Sequence, residues 1–237
     1  MTDTFIATGL ACLIAHVFAD FVLQTRWMVT NKHRPAVLLL HAFIVFALTG
    51  LALGGSLFLA ATLALAHLAI DALKTYAVPS SQRDRLWPYL TDQLAHLATI
   101  ALAAYLMPNA FAQGLWAEHA ENLIASALLT TGLIAATLAG GPAVGGLMQP
   151  YKAQAQPDGL DNAGRIIGLL ERALIYLMVM LGEPTGIGFL IAAKSILRFD
   201  TVSQSREISE YVIIGTLASF GWALLVAFAT QSLINLL

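Results

Sequence analysis

Long apolar runs recur along almost the whole chain and constrain its fold more than any other feature. Each run holds roughly 18 to 25 residues, which as a helix is enough to cross the roughly 30 Å hydrocarbon core of a bilayer. Hydrophobic side chains make up 58% of the 237 residues and charged ones only 11%, which leaves no room for a separate soluble domain. The sequence therefore predicts an all-α, polytopic helical bundle in a membrane.

The runs predict about eight spans. The seventh is short, and it is either a short crossing or one arm of a re-entrant hairpin that pairs with the sixth through the Gly182–Gly186 turn. The predicted spans are 4–25, 35–53, 55–77, 89–107, 121–140, 165–182, 185–199 and 209–236.

The positive charges predict how the bundle is oriented. All 12 Lys and Arg residues fall on one side of these spans, and the loops on the other side hold none. Because positive residues accumulate in short cytoplasmic loops, we expect the N-terminus and the C-terminus to be outside. The cytoplasmic loops are then 26–34, 78–88, 141–164 and 199–208.

The residue content divides the chain into four parts. Residues 1–110 form a four-helix membrane domain that bears His and Asp residues, and 111–140 contain an outer loop and the fifth span. The Gly, Pro and Gln content of 141–164 is typical of a mobile cytoplasmic loop. Residues 165–237 supply C-terminal membrane helices with a cluster of Glu, Arg and Lys.

Histidine and aspartate recur at a spacing of four residues in three of the predicted spans. Residues four apart lie on one helix face, so each pair can point inward together. The alternating direction of the spans brings the pairs, together with a histidine of the second span, to a similar depth near the cytoplasmic surface. The residues are His16 and Asp20, His67 and Asp71, Asp92 and His96, and His41.

These seven residues are candidate metal ligands. Imidazole and carboxylate without thiolate favour a divalent metal, with Zn²⁺ first and Mn²⁺ or Fe as alternatives. Seven ligands exceed the needs of one tetrahedral ion, so a two-metal site is a natural use of them, in which Asp20, Asp71 and Asp92 have catalytic roles. Gln24, Gln93 and Glu171 are predicted to support the ligands. The alternative is that the pairs only hold helices together by hydrogen bonds.

The second half carries a cationic feature with two interpretations. Arg172, Lys194 and Arg198 either bind a substrate phosphate or form helix–helix salt bridges with acidic neighbours such as Glu171.

Three segments of the first half resemble a known family. They are HVFADFVLQT at 16–25, HLAIDALK at 67–74 and DQLAHL at 92–97. At these residues the sequence resembles a bacterial inner-membrane family called domain of unknown function 3307, and ERALIYL, FLIAAKSILRF and EYVIIGTLAS are similar to the tail that accompanies it in many members. The resemblance implies a multi-pass protein of the bacterial inner membrane and carries no activity with it. The paired His/Asp helices are also similar in kind to those of membrane-bound metal-dependent hydrolases.

Three functions fit the pattern. The first is a metal-dependent enzyme, a hydrolase of a phosphorylated or lipid-linked substrate at the cytoplasmic leaflet. The alternative is a transporter or channel for a divalent cation, proton or small solute that uses the same His and Asp residues. The third is a scaffold. The formal charge of −2 and the lack of a basic stripe argue against nucleic acid as a partner, so membrane lipids and small solutes are expected instead. The sequence leaves open whether the chain forms a homo-oligomer.

Overall fold

The computed structural model describes residues 4–152, 162–197 and 206–236, and these are helices and turns without a strand. The helices are α1 Thr4–Val17, α2 Arg26–Asn31, α3 Pro35–Ala52, α4 Leu57–Ala77, α5 Leu86–Leu106, α6 Ala120–Ile134, α7 Gly140–Met148, α8 Ala163–Met180, α9 Thr185–Leu197 and α10 Arg206–Ile234. Two π-helical turns, Phe18–Leu23 and Ala135–Ala139, continue α1 and α6. The all-α prediction is confirmed.

Five helical stretches are long and apolar enough to cross a membrane, which makes the chain a multi-pass membrane protein. They are Thr4–Leu23, Pro35–Ala52, Leu57–Ala77, Leu123–Tyr151 and Arg206–Ile234, and they overlap the first, second, third, fifth and eighth predicted spans. The fourth, sixth and seventh predicted spans form α5, α8 and α9. Helix α9 has 13 residues and so rises only about 20 Å, in keeping with the short seventh span.

The described residues form two compact units. The first comprises those of Met1–Arg83 and Trp87–Ile134 together with Leu236, and the second comprises those of Asp84–Leu86 and Ala135–Asn235. In the first unit, helix α1 packs on α3 and on α6, and α3 packs on α4. In the second unit, α10 packs on α7 and α8.

The fifth span is longer than predicted, and the predicted loop 141–164 is wrong in its first part. The helix passes through the π turn into α7 and a 3-10 turn that ends at Tyr151. Pro142 lies within α7, three residues after the end of the π turn. Gly146 serves close packing, because a Cβ there would lie 2.8 Å from the backbone nitrogen of Leu86. Residues 153–161 of that predicted loop lie outside the described residues.

The turn between α8 and α9 has the form expected at a helix end. Gly182 has a φ of 76°, and its N–H donates to the carbonyl of Val179 while that of Glu183 donates to Met178. This pair of bonds is the Schellman pattern, in which a glycine takes the left-handed position that other residues avoid. The predicted Gly182–Gly186 turn is confirmed.

Candidate metal centre

Four helices of the first unit bring the seven candidate ligands together. His16 is in the last turn of α1 and Asp20 in the following π turn, and the others lie on α3, α4 and α5. The imidazole rings form a continuous cluster, with ring centroids of His67 and His96 3.9 Å apart and those of His16 and His96 5.0 Å apart. Six of the seven residues are buried, and the side chain of Asp20 is only 7% exposed. The predicted convergence of these residues is confirmed.

The Nε2 atom of His41 lies at the centre of the most crowded part of the cluster. It is 3.0 Å from Nε2 of His67, 3.2 Å from Oδ1 of Asp20 and 3.6 Å from Oδ2 of Asp71. Nε2 of His67 is itself 3.3 Å from Asp20 and 3.6 Å from Asp71. A ring nitrogen has one in-plane position for a hydrogen bond, so these neighbours cannot all be satisfied by it.

The same distances match a tetrahedral ion site. With Zn–N and Zn–O bonds of about 2.0–2.1 Å, neighbouring ligand atoms of a tetrahedron lie about 3.3 Å apart. Nε2 of His41, Nε2 of His67 and Oδ1 of Asp20 lie 3.0 to 3.3 Å from one another. Two imidazoles and one carboxylate therefore fit three positions of a small tetrahedral cation in both chemistry and spacing, as in zinc sites that keep the fourth position open.

Several buried polar atoms of the cluster lack a hydrogen-bond partner within the described part of the chain. They are Nδ1 of His16, Nδ1 of His41, Oδ1 of Asp92 and both ring nitrogens of His96. A buried polar atom without a partner costs about 1–3 kcal/mol. A cluster with this many unpaired polar atoms destabilises the fold unless a ligand binds them. A metal ion would bind those atoms that carry a lone pair.

Three overlapping groups have ligand atoms close enough to hold one ion each. Within each group, the ligand atoms lie within 4.8 Å of one another. The groups are Asp20, His41 and His67; His16, His67 and His96; and Asp71, Asp92 and His96. Because His67 and His96 each occur twice, the cluster has room for more than one arrangement of ions, and cysteine takes part in none of these three groups.

Two glutamines contact the ligands, as predicted. The amide of Gln24 lies 2.9 Å from Nε2 of His41. Gln93 donates to Oδ2 of Asp20 and of Asp92, and its oxygen lies 3.3 Å from Nε2 of His16. Since a carbonyl oxygen can only accept, Nε2 of His16 carries the proton and Nδ1 keeps its lone pair for a ligand. Gln93 therefore orients His16 in the way that supporting residues orient metal-bound histidines.

Two lysines also contact the cluster, although the sequence predicted them only as positive charges on the cytoplasmic side. Lys32 donates to Oδ1 of Asp71 over 2.7 Å, and Lys74 donates to Oδ2 of Asp92 over 2.9 Å. The position of Lys74 on α4, three residues after Asp71, was a usable signal because it shares the face of the ligands. Lys32 had no such signal, since it lies between α2 and α3 and is brought in by the course of the chain there.

The second unit holds the other predicted residues. Nε and Nη2 of Arg172 donate to the carbonyl of Thr137, which belongs to the π turn, and Nη1 donates to Oγ of Ser219. Lys194 donates to Glu171 over 2.6 Å. This pair is the arrangement expected from helix–helix salt bridges, and the predicted roles of these residues in substrate binding and ligand support stay predictions. Arg198 lies outside the described residues.

The fold and the cluster together define a class: a multi-pass helical membrane protein whose first unit encloses buried His and Asp residues able to hold a metal ion. Residues 10–124 match the model of a family described as "Protein of unknown function (DUF3307)", and through them the chain belongs to that family. The match contains all seven candidate ligands, both glutamines and both lysines. No curated protein and no solved structure matches the chain.

Proposed function

We propose that this chain is a metal-dependent enzyme of the bacterial inner membrane, a hydrolase that acts on a phosphorylated or lipid-linked substrate. The observation that carries the proposal is the close approach of Nε2 of His41, Nε2 of His67 and Oδ1 of Asp20, which lie 3.0 to 3.3 Å apart, the spacing of ligands around a tetrahedral ion. Zn²⁺ fits this set first, and Mn²⁺ or Fe fit it next.

The residues divide the work in the following way. Asp20, His41 and His67 would hold one ion, and Asp71, Asp92 and His96 would hold a second. Such ions polarise a phosphoryl or carbonyl oxygen and lower the pKa of bound water toward neutrality. The carboxylates are suited to accept a proton from that water, and Gln93 fixes the orientation of Asp20, Asp92 and His16.

The proposal includes a membrane topology. Helices α1 and α3–α6 and helices α8–α10 supply eight crossings, with α9 as a short one, and both termini are outside. Because positive residues mark the cytoplasmic side, the ends of α1 and α4 that carry the ligands then lie toward the cytoplasm. A substrate would reach the cluster from the cytoplasmic leaflet.

Metal analysis of the purified protein tests the proposal. After preparation with Zn²⁺, Mn²⁺ or Fe²⁺, we expect at least one ion per chain, loss of that ion in His41→Ala and His67→Ala, and lower thermal stability in chelator. His119→Ala is the matched control because this histidine is exposed and far from the cluster in the chain. Absence of bound metal together with unchanged stability in chelator would refute the metal site. Release of phosphate or fatty acid from a panel of phosphorylated and acylated lipids then tests hydrolysis.

A second candidate is transport of a divalent cation or proton, and one observation favours it. A small cavity with room for about one water adjoins His16, His67 and His96. Thr49 and Leu63 also line this cavity. On α4, Leu63 lies one turn before His67, whereas Asp71 lies one turn after it. The cavity thus extends from the histidines away from that carboxylate. Ion flux into proteoliposomes that disappears in Asp20→Ala, without turnover of any ester, would favour transport over hydrolysis.

A further inference from the structure

Two lysines form the cationic edge of the His/Asp cluster. The side chains of Lys32 and Lys74 are 16% and 28% exposed, whereas the carboxylates of Asp71 and Asp92 that they contact are 2% and 5% exposed. The ammonium groups therefore lie between the buried ligands and the outside. Because ligand atoms of Asp71 and Asp92 lie within 4.8 Å of one another, the two ammonium groups are held by neighbouring carboxylates.

Each of these carboxylates faces in two directions. Oδ2 of Asp71 lies 3.6 Å from the Nε2 atoms of His41 and His67, and its Oδ1 accepts from Lys32. Oδ1 of Asp92 faces Nε2 of His96 at 3.7 Å, and its Oδ2 accepts from Lys74. One oxygen of each carboxylate is thus available to a metal ion, and the other oxygen binds the ammonium group of a lysine.

The charge balance of the cluster favours an anionic ligand. With neutral imidazoles, the three aspartates and two lysines leave one negative charge. One divalent ion turns this into one positive charge, and a second ion makes the excess larger. A buried excess charge is costly unless it is paired, so a metal-loaded cluster calls for an anion at its edge.

We propose that Lys32 and Lys74 bind a phosphate group of the substrate beside the metal ion, an inference that rests on the proposed function. Each ammonium group has three N–H donors and uses one of them on its aspartate, so donors remain for phosphate oxygens. An ion that shares the aspartate charge also loosens the hold of the carboxylate on its lysine. The inference places the phosphate in the first unit and gives Arg172 and Lys194, whose donors meet Thr137, Ser219 and Glu171, no part in binding it.

The experiment measures phosphate binding to metal-loaded protein in nanodiscs of phosphatidylcholine. Inorganic phosphate is titrated by calorimetry into the wild type and into Lys32→Gln, Lys74→Gln and the double variant, with metal content measured on each sample. A charge-assisted hydrogen bond is worth enough that we expect affinity to fall at least about tenfold in each single variant and further in the double variant. Lys152→Gln is the matched control because Lys152 is exposed, and it should bind as the wild type does. Lys→Arg variants should recover part of the affinity.

The outcomes separate this inference from the metal proposal. Unchanged phosphate affinity in the double variant, or loss of affinity in Lys194→Gln instead, overturns the inference. Full metal content without phosphate binding also overturns it and leaves the metal site standing. Phosphate binding that needs both lysines but no metal supports the inference while the proposed function fails. Phosphatidic acid added to the nanodiscs identifies the source: displacement of inorganic phosphate indicates a lipid headgroup, no displacement indicates a soluble phosphate compound, and either result supports the lysine site.

Discussion

Replacing His96 with phenylalanine should change the stability in opposite directions with and without metal. Both ring nitrogens of His96 are buried without a hydrogen-bond partner in the described part of the chain. A phenyl ring keeps the stacking on His67, whose ring centroid is 3.9 Å away. The small cavity that His96 lines with Thr99 and Ile100 gives the larger ring space. The substitution therefore removes unpaired polar atoms without leaving a void.

The magnitude follows from those two nitrogens. Each unpaired buried polar atom costs about 1–3 kcal/mol, and the unfolded state in a membrane-like solvent recovers only part of that cost. Allowing for tight packing of the larger ring, we expect His96→Phe to stabilise the metal-free protein by about 1–2 kcal/mol. With saturating metal the sign reverses, because a hundredfold weaker affinity lowers the stability by about 2.7 kcal/mol.

The assay is unfolding in mixed micelles with increasing SDS, once with Zn²⁺ and once with chelator. The free energy of unfolding of His96→Phe should exceed that of the wild type in chelator and fall below it in Zn²⁺. His119→Phe, at an exposed position, should change neither value. Equal destabilisation of His96→Phe in both conditions would refute the reasoning, since it would mean that the histidine supports the helix packing by itself.

Two further predictions concern other parts of the structure. Gly140→Ala should destabilise the second unit by about 1–3 kcal/mol, because its Cβ would lie 2.7 Å from Nε of Arg172. Gly145→Ala on the same helix places its Cβ more than 4 Å from any group outside its own helix and should be neutral or slightly stabilising. SDS unfolding of both variants measures the difference, and equal effects would contradict the prediction. Gln93→Ala should weaken the metal affinity about 10- to 100-fold, because the ring of His16 loses the hydrogen bond that orients it. Competition with a chelator measures the affinity, and an unchanged value would show that Gln93 does not orient the ligands.

The spacing of the histidines and aspartates predicted the cluster correctly because helix geometry fixes it. A separation of four residues places His67 and Asp71 on one face, and the alternating direction of the spans set their depth. The sequence could not predict the π turn that holds Asp20, since π turns have no simple residue signature. It also missed the approach of Lys32, which depends on the tertiary course of the chain between α2 and α3.

The glycines of 141–148 misled the prediction for a different physical reason. Glycine and proline usually mark loops because they weaken helices, and here they lie within a helix. The close approach of α7 to Arg172 and Leu86 leaves no space for a side chain at Gly140 or Gly146. Packing at these positions outweighs the low helix propensity of glycine, which is worth only about 1 kcal/mol per residue.

The two units each contain a buried carboxylate that is paired with a lysine of a neighbouring helix. Lys74 of α4 holds Asp92 of α5, and Lys194 of α9 holds Glu171 of α8. Burial of charge in a membrane protein is often taken as a sign of function, but by that measure the two pairs are equivalent. They differ in what surrounds them.

Beside Glu171, the guanidinium of Arg172 donates to a carbonyl and a hydroxyl, and no atom of these two residues is among the buried unpartnered atoms of the described chain, so that network is suited to holding helices together. Beside Asp92, both nitrogens of His96 and one oxygen of Asp92 itself have no partner among the described residues. A network with unmet hydrogen-bonding capacity is costly unless another group completes it. Unmet hydrogen-bonding capacity, and not burial of charge, therefore distinguishes the first unit as the one whose buried residues could hold an ion.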